Sequence, residues 1–304
     1  MPWRLRTRIL ELGRRTLVMG VVNITPDSFS DGGQFLNARA AVARALDLLD
    51  EGADLVDLGA ESTRPGSHAG GVDGPADAPR ARASVSAEEE QARLLPVLSG
   101  VLAARPDATV SVDTYKAATA RAALKAGAEI VNDVSGFNWD SAMASVCAEF
   151  QCGVVLMHTR GRPEEWRNQP QLPADELLAN VRGGLQTSLA RAAQAGLTPA
   201  NIVLDPGYGF GKRFNENYSL LAHQAELLSL GRPLLAGVSR KSFLGHTLAS
   251  LHGGVPASVD GRETASIAAM VAAILHGASA VRVHSVRPAV EAALVADAVL
   301  AAQA

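Results

Sequence analysis

Runs of apolar residues recur eight times along this chain, and most of them end in a polar residue. They lie at 17–23, 55–59, 109–114, 130–135, 153–158, 202–207, 233–239 and 280–285. Continuous runs of Val, Ile and Leu, each followed by a helical pattern, are typical of parallel strands buried on both faces. Eight such units predict an α/β fold, a closed (β/α)8 or TIM barrel. The polar residues at the ends of the runs then mark the mouth of a site.

Helical periodicity fills intervals between the runs. In 38–51, for example, Val42, Leu46 and Leu49 fall on one face of a helix. A glycine directly follows each of four such segments, 38–51, 115–126, 177–195 and 263–276, at Gly52, Gly127, Gly196 and Gly277. Glycine just past a periodic segment is the expected stop at the carboxyl end of a helix. The pattern therefore predicts repeated turns from helix to strand.

The length of the chain predicts one domain with one long loop. A barrel of this type typically has ~250 residues, and this chain has 304. The excess fits segment 66–86, which follows the second strand, is rich in Gly, Pro, Ala and Arg, and shows no period. Loops at the carboxyl end of a barrel are often lids. We expect residues 1–16 to form an N-terminal extension and residues 17–304 to form the barrel.

Composition and charge restrict the partners of the protein. A net charge of −3 and an isoelectric point near 6.2 provide no basic stripe for nucleic acid. The longest late apolar stretch, 267–283, contains Gly277 and Arg282 and predicts helix, turn and strand rather than a membrane span. Cys147 and Cys152 fit buried free thiols of a reducing compartment. These features predict a cytoplasmic protein that acts on small molecules, with neither nucleic acid nor a membrane as partner.

Two of the runs are followed by segments dense in polar residues. The first segment, 23–33, begins at Asn23 and contains hydroxyls, carboxylates and turn formers. The second, 61–66, places Arg64 between a hydroxyl pair and a Pro-Gly turn. An arginine in such a place can hold a phosphate through two parallel hydrogen bonds. A capped loop and a solvated arginine are the alternatives, and these residues alone leave both open.

Carboxylates and an amide stand within or at the ends of three buried strands. They are Asp113, Asn132 with Asp133, and Asp205. A buried carboxylate is unfavourable unless it is paired or binds a ligand. One interpretation is an ion pair in the barrel core, for which Lys241 is the candidate cation. The other is a ligand site, which is favoured because several ionisable groups converge in one concave mouth.

Two further polar residues, Asp57 and His158, also lie in or at strand ends. We interpret His158 as a hydrogen-bonded supporting histidine, because no other candidate metal ligand stands at helical or strand spacing from it.

The last two strands carry candidate cations. The seventh run leads into 237–245, which contains Lys241, and the eighth carries Arg282 and His284. Residues two apart on a strand face the same side, and barrels commonly bind phosphate at strands seven and eight. We therefore predict an anion site at Arg282 and His284. In the alternative, Arg282 and His284 both face the outer helices. Arg282 would then be buried without an obvious partner. Segment 239–242 is also expected to begin a helix that can hold a second anion.

Several familiar catalytic motifs are incomplete. Segment 207–212 resembles a phosphate loop, but Pro206 replaces its first glycine and Arg213 its Ser or Thr. Lys241 stands where a nucleophile elbow needs its second glycine. The sequence contains no Cys/His cluster typical of zinc. Because no covalent nucleophile is evident, we expect direct displacement assisted by charge stabilisation.

Together these motifs resemble those of the dihydropteroate synthase family. The resemblance spans 17–284 and rests on 23–33, 62–66, 111–114, 132–136, 204–212, 239–241 and 282–284. It implies a TIM-barrel transferase of folate biosynthesis, usually a homodimer, that requires Mg2+. Such enzymes condense 6-hydroxymethyl-7,8-dihydropterin diphosphate with 4-aminobenzoate to 7,8-dihydropteroate and release diphosphate. Sulfonamides typically compete for the aminobenzoate site.

The resemblance also implies a role for each matching residue. The pterin would be held by Asp113, Asn132, Asp205 and Lys241. Asn23 resembles the residue that binds Mg2+ beside the diphosphate. The diphosphate partners would be Thr63, Arg64, Arg282 and His284, and the aminobenzoate pocket would be lined by Phe29, Pro65, Phe210 and Ser242. The implied catalytic set is Asn23, Arg64, Lys241, Arg282 and His284.

The expected mechanism is a dissociative displacement. The C–O bond to diphosphate breaks largely before nitrogen attacks, because the dihydropterin ring can delocalise the CH2 cation. Mg2+ and the arginines stabilise the leaving group where charge develops.

Two alternative functions share the pterin contacts. A pterin-dependent methyltransferase would not need 23–33, Arg64 or the Arg282 and His284 pair, and a non-catalytic paralogue would bind a pterin without forming product. The chain departs from the family pattern at Thr159 and Arg160, where Met-Gln is common, and in the longer loop after Gly66.

Overall fold

The chain folds into a closed barrel of eight parallel strands, which confirms the predicted TIM-barrel fold. A computed structural model describes residues 1–24, 34–61 and 85–303, apart from the side chains of 34–37. The barrel strands are β3 (Leu17–Asn23), β4 (Leu55–Gly59), β5 (Val110–Asp113), β6 (Ile130–Asp133), β7 (Gly153–Met157), β8 (Ile202–Asp205), β9 (Leu234–Ala236) and β10 (Ala278–Val283). They are preceded by a hairpin of β1 (Pro2–Arg4) and β2 (Ile9–Glu11).

Helices surround the barrel in the described ranges. They are α1 (Gln34–Asp50), α2 (Ala87–Ala104), α3 (Ala117–Lys125), α4 (Met143–Phe150), α5 (Ala174–Ala195), α6 (Phe214–Ala222), α7 (Ser242–Thr247), α8 (Glu263–Leu275) and α9 (Val286–Ala301). The four helices predicted to end before a glycine are present. Gly127 and Gly196, for example, follow α3 and α5 with φ of +111° and +97°, the left-handed region that favours glycine. No helix within the described ranges combines the length and the hydrophobicity of a membrane span.

The N-terminal hairpin packs against the amino end of the barrel. Trp3 and Leu5 are buried in one cluster with inward-facing residues of the strands, among them Leu55. The Trp3 indole Nε1 donates a hydrogen bond of 2.9 Å to the Asn201 carbonyl. A Cβ on Gly153 would lie 2.5 Å from Leu5 Cδ2, so a larger residue there would displace the Leu5 side chain. Residues 1–16 thus form part of the packed barrel floor, which the sequence did not predict.

Strand periodicity places a polar layer directly above this apolar floor. Inward-facing Leu55, Ile130, Val203 and Ala280 belong to the floor cluster. Two residues further along the same strands come Asp57, Asn132, Asp205 and Arg282. Side chains two apart on a strand face the same side, so these four project into the barrel toward its carboxyl end. The predicted loop 66–86 lies outside the described residues except for its last two positions.

We predict that the hairpin contributes to global stability. Trp3 is 1% exposed, and replacing it with alanine is expected to lower the free energy of unfolding by about 3–5 kcal/mol, because a cavity remains. Ile9→Ala is a matched control on β2, since Ile9 is 57% exposed, and its effect is expected to stay within about 0.5 kcal/mol. Urea denaturation of both variants measures this. Equal midpoints would show that the hairpin does not stabilise the barrel.

Candidate active site

A network of charged and amide side chains occupies the centre of the polar layer. Arg282 Nε donates to Asp57 Oδ2 at 2.7 Å, and Arg282 Nη2 donates to Asp113 Oδ2 at 2.8 Å. Asn132 Nδ2 donates to the same Asp57 oxygen at 3.0 Å. The four side chains come from β10, β4, β5 and β6, and Arg282 and Asp57 are 225 positions apart in the chain. The barrel topology therefore brings them together.

Burial alters the acidity of Asp113 in this network. Asp57 is fully buried, whereas the side chains of Arg282 and Asp113 are 21% and 14% exposed. Burial raises the pKa of Asp113 to about 7, against the opposing effect of Arg282, and the negative charge of Asp57 adds to the rise. Two carboxylates thus face one guanidinium, and the network has a net charge of −1 when both are ionised.

Asp205 and Lys241 extend the layer on the side of β8 and β9. Asp205 Oδ1 accepts a 2.7 Å hydrogen bond from the Gly207 backbone N–H. Burial raises the pKa of Asp205, although that hydrogen bond and the charges of Lys241, Lys212 and Arg282 oppose the rise. Lys241 Nζ lies 3.8 Å from the centre of the Phe210 ring, a cation–π contact. An acid, a cation and an aromatic face therefore lie close together.

The turn between Asp205 and Phe210 is held by Lys212. Its Nζ donates to the carbonyls of His158, Gly207 and Phe210 at 3.2, 2.8 and 3.3 Å. Burial lowers the pKa of this ammonium group to about 7, although the charge of Asp205 favours its protonated form. Lys212 thus stabilises the backbone of the turn.

Ser239 and His284 form a pair next to this layer. Ser239 Oγ lies 3.0 Å from His284 Nδ1 and accepts a 3.3 Å hydrogen bond from the His284 backbone N–H. The backbone of Arg240, between Ser239 and Lys241, is left-handed with φ of +59°. Its N–H donates to Ser266 Oγ at 2.9 Å, and its carbonyl accepts from Arg262 Nη1 at 3.0 Å. These contacts fix the turn that carries Ser239 and Lys241.

A second buried ion cluster lies beside the carboxyl ends of β4 and β5. Lys116 Nζ contacts Glu61 and lies 3.2 Å from Glu90 Oε2. Tyr115 OH donates to Glu61 at 3.1 Å, and Thr119 Oγ1 donates to Glu90 at 2.8 Å. Burial raises the pKa of Glu90, with Lys116 opposing the rise. The cluster fixes Glu61, the last described residue before position 85.

The structure brings together most of the predicted site residues that it describes. Asp113, Asn132, Asp205, Phe210, Lys241 and Arg282 share the layer, and Asn23 ends β3, in register with Gly59. His284 is half-buried beside Ser239, and Ser242 is exposed at the first position of α7. Four predicted residues, Phe29, Thr63, Arg64 and Pro65, lie outside the described residues. Their roles stay predictions.

Three expectations need correction or refinement. The cation paired with Asp113 is Arg282, whereas the sequence suggested Lys241 for an ion pair in the barrel core. The alternative in which Arg282 faces the outer helices is excluded, because the guanidinium contacts Asp57 inside the barrel. Asp133 faces away from the barrel interior, since it follows inward-facing Asn132 by one position. Its carboxylate accepts from the backbone N–H groups of Ser135 and Phe137, both at 2.8 Å.

The sequence assigned no role to Asp57, although a detectable signal was present. It is the single charged residue in the otherwise apolar and fully buried strand LVDLG. A lone acid inside such a strand requires a partner from another strand.

Thr159 and Arg160, which depart from the family pattern, follow the carboxyl end of β7. Arg160 Nη1 donates to Glu216 Oε1 at 3.0 Å in a buried ion pair. Thr159 Oγ1 accepts from Trp166 Nε1 at 3.1 Å, and the Trp166 ring packs edge-on against Phe210, 5.0 Å between centroids. Both residues therefore support the wall that presents Phe210.

His158 is buried, and its pKa lies well below the usual range, because of burial and the charges of Lys212 and Arg160. The expectation of a hydrogen-bonded histidine holds only in part, since Nδ1 has no hydrogen-bond partner among the described residues.

Comparisons with known proteins agree with this geometry. The family model described as pterin binding enzyme matches residues 19–284. A dihydropteroate synthase of Mycobacterium leprae is 43% identical over 279 residues, which cover 90% of this chain and 90% of that protein. A structure of dihydropteroate synthase from Xanthomonas albilineans in complex with 7,8-dihydropteroate is 36% identical with a TM-score of 0.81, covering 99% of each chain. The chain is 37% identical to a mitochondrial bifunctional folate synthesis protein of Pisum sativum over 96% of its own length, and spans 55% of that protein.

We predict that Asp113 makes stability depend on pH. Its folded-state pKa of about 7 exceeds the ordinary 3.8, so the folded protein binds the proton more tightly than the unfolded chain. The free energy of unfolding should therefore fall as pH rises from 4 to 7, by at most about 4 kcal/mol at 1.4 kcal/mol per unit. Asp113→Asn removes this contribution. Urea denaturation of both proteins should show that, as pH rises from 4 to 7, the free energy of unfolding falls more in the unmodified protein than in the variant. A difference between the two proteins that does not change with pH would contradict the prediction.

Proposed function

Because this chain belongs to the pterin-binding enzyme family, we propose that it is a dihydropteroate synthase. It condenses 6-hydroxymethyl-7,8-dihydropterin diphosphate with 4-aminobenzoate to form 7,8-dihydropteroate and diphosphate. The observation that carries this proposal is the layer of Asp113, Asn132, Asp205 and Lys241 above an apolar floor. The similarity to a synthase in complex with 7,8-dihydropteroate supports it.

The chemistry of the layer suits a pterin. A pterin presents an amino-pyrimidinone edge whose N–H donors a carboxylate can accept in pairs. Asp113 and Asp205 provide such carboxylates. Asn132 is oriented because its Nδ2 is bound to Asp57, and its amide oxygen then accepts a ring N–H. Lys241 donates to the ring carbonyl or nitrogen. Because Asn132 and Asp205 are buried and Asp113 is only 14% exposed, a ligand without the matching donors would leave part of their capacity to accept hydrogen bonds unfilled, at a large cost.

The reaction needs positive charge where the diphosphate leaves. The C–O bond breaks with its electron pair going to diphosphate, and the dihydropterin ring delocalises the resulting CH2 cation. The amine of 4-aminobenzoate then forms the C–N bond with its lone pair and loses a proton. Arg282 and His284, with Thr63 and Arg64, bind the leaving group in this proposal. A guanidinium has five N–H donors, and Arg282 gives one at Nε and one at Nη2 to carboxylates.

We infer that Mg2+ binds together with the diphosphate. The described residues contain no group of three or more His, Cys, Asp or Glu side chains able to hold a metal ion. Asn23, half-buried at the end of β3, provides an amide oxygen at the barrel mouth. Mg2+ prefers oxygen ligands and is often held by few protein groups together with substrate phosphates and water. This donor set fits such an ion, which would neutralise charge on the leaving group.

We also infer a homodimer that forms through α9. Leu294, Val295 and Val299 project from this helix with 60%, 66% and 44% of their surface exposed. Contiguous exposed apolar residues mark interaction surfaces, and a two-fold dimer uses the same surface twice. Light scattering should give twice the chain mass of 31.6 kDa, and Leu294→Glu with Val295→Lys should give the single mass. An unchanged mass for the variant would contradict this interface.

The cytoplasmic location of the protein stays a prediction.

Release of diphosphate tests the proposed function directly. We expect purified protein to release diphosphate only when both substrates and Mg2+ are present, and a sulfonamide to reduce the rate by competing with 4-aminobenzoate. Binding of the pterin without release would instead indicate a non-catalytic paralogue. Demethylation of methyltetrahydrofolate with a corrinoid acceptor would indicate a methyltransferase.

Lys241→Met tests the pterin site within this assay. The variant keeps much of the apolar stem against Phe210 but loses the ammonium group, so we expect kcat/KM for the pterin diphosphate to fall by ~10². Calorimetric titration with 6-hydroxymethylpterin should show weaker binding. Lys125→Met is a matched control, because Lys125 is an exposed basic residue at the end of α3. Equal activity of the two variants would remove Lys241 from the site.

A further inference from the structure

We infer that Asp57 is a positioning residue for the reaction, acting on the substrate through Arg282 and Asn132. This inference rests on the proposed function, since the reaction provides its main measurement. Two donors, Arg282 Nε at 2.7 Å and Asn132 Nδ2 at 3.0 Å, converge on one oxygen, Asp57 Oδ2. A single atom therefore fixes the direction of two side chains of the pterin layer.

The position of Asp57 in the sheet explains how it contacts both Arg282 and Asn132. The strand order around β4 is β10, β3, β4, β5, β6. Asp57 lies on the central strand of these five, and each of its contacts passes over one intervening strand, to Arg282 on β10 and to Asn132 on β6. One carboxylate thus links both ends of a five-strand segment of the barrel. A shift of the Asp57 carboxylate would therefore move both Arg282 on β10 and Asn132 on β6.

Asp57 differs from Asp113 in its access to substrate. The Asp57 side chain is 0% exposed, whereas that of Asp113 is 14% exposed. Asp113 therefore can bind the pterin and share its oxygens between the ligand and Arg282. Asp57 remains bound to Arg282 Nε beneath the ligand. The guanidinium is held by its Nε and Nη2 edge, and only the Asp57 contact is independent of the pterin.

The hydrogen bonds of Asp57 lie on one side of its carboxylate. Its register neighbours are Val21 on β3 and Ser111 on β5. Asp57 Oδ1 and Ser111 Oγ are both buried without a hydrogen-bond partner among the described residues. The contacts that compensate the carboxylate therefore lie on Oδ2, so its charge depends on Arg282 and Asn132 and serves to orient them.

A double-mutant cycle tests the inference. Asp57→Asn retains the shape but removes the charge, and we expect kcat/KM for the pterin diphosphate to fall by about 10²-fold, the scale of a misplaced charged group. The KM for 4-aminobenzoate should stay unchanged. In an Arg282→Met background the same substitution should cost less, about 3-fold, because Arg282, one of the two groups that Asp57 positions, is already missing and only the Asn132 contact remains to be lost. Equal losses in both backgrounds, or no loss in the unmodified background, would overturn the inference.

Asp133→Asn is the matched control. Asp133 is as buried as Asp57 and lies on β6, but it faces away from the barrel interior and binds the backbone of its own loop. We expect its kcat/KM to stay close to that of the unmodified protein, because the hydrogen bonds of the Asp133 carboxylate go to the Ser135 and Phe137 backbone and not to Arg282 or Asn132. An equal loss in Asp57→Asn and Asp133→Asn would show a general effect of removing buried charge, and would overturn the positioning role.

A second measurement requires neither activity nor a folded Asp57 variant. The bond from Arg282 Nε to a fully buried carboxylate predicts slow hydrogen exchange at this Nε–H in the unmodified protein, assigned by its loss in Arg282→Lys. Rapid exchange would overturn the inference. Slow exchange in a protein that releases no diphosphate would contradict the proposed function and leave the Asp57 to Arg282 contact in place.

Discussion

The guanidinium of Arg282 is the constraint on which the site depends. Two carboxylates, Asp57 and Asp113, are placed above an apolar floor, where a buried negative charge is unfavourable without a compensating cation. Arg282 binds both of them. Its compensation is incomplete, because the pKa of Asp113 still rises to about 7. The site therefore retains a demand for further hydrogen-bond donors, which a pterin satisfies and a purely apolar ligand does not.

All four side chains of the network come from strands, and this fixes their positions precisely. A strand of the barrel is hydrogen-bonded to a neighbouring strand on each side, which fixes the positions of its side chains. Residues in loops depend on fewer contacts. Arg282, Asp57, Asp113 and Asn132 come from four different strands of one closed sheet. Around them, Lys212 holds the carbonyls of one turn and Arg262 holds that of another. The described part of the site is thus organised before a ligand arrives, as electrostatic stabilisation of a leaving group requires.

Much of the fold follows from the sequence because its signals are local. The eight apolar runs and their polar ends are continuous in the chain, and barrel closure then places Asp113, Asn132 and Asp205 in one layer. The hairpin escaped prediction because its few apolar residues stand among arginines. The sequence also did not predict which side of the sheet Asp133 faces or which carboxylates Arg282 binds. The first depends on the exact alternation of side chains along β6, and the second depends on contacts across several strands. These are properties of the closed sheet, which short sequence windows do not contain.

Within the proposed reaction, the same network links pterin binding to departure of the diphosphate. Before substrate binds, the positive charge of Arg282 is shared between two carboxylates, which weakens its attraction for another anion. Donors on the pterin ring draw on Asp113, so part of that compensation moves from Arg282 to the ligand. The guanidinium, still held at Nε by Asp57, then acts more strongly on the leaving group. In a site with Asp113 alone, the carboxylate that holds the arginine would also be the one that the pterin uses, and a site with Asp57 alone would give the pterin no exposed carboxylate on β5. The pair of acids is therefore needed for both tasks at once.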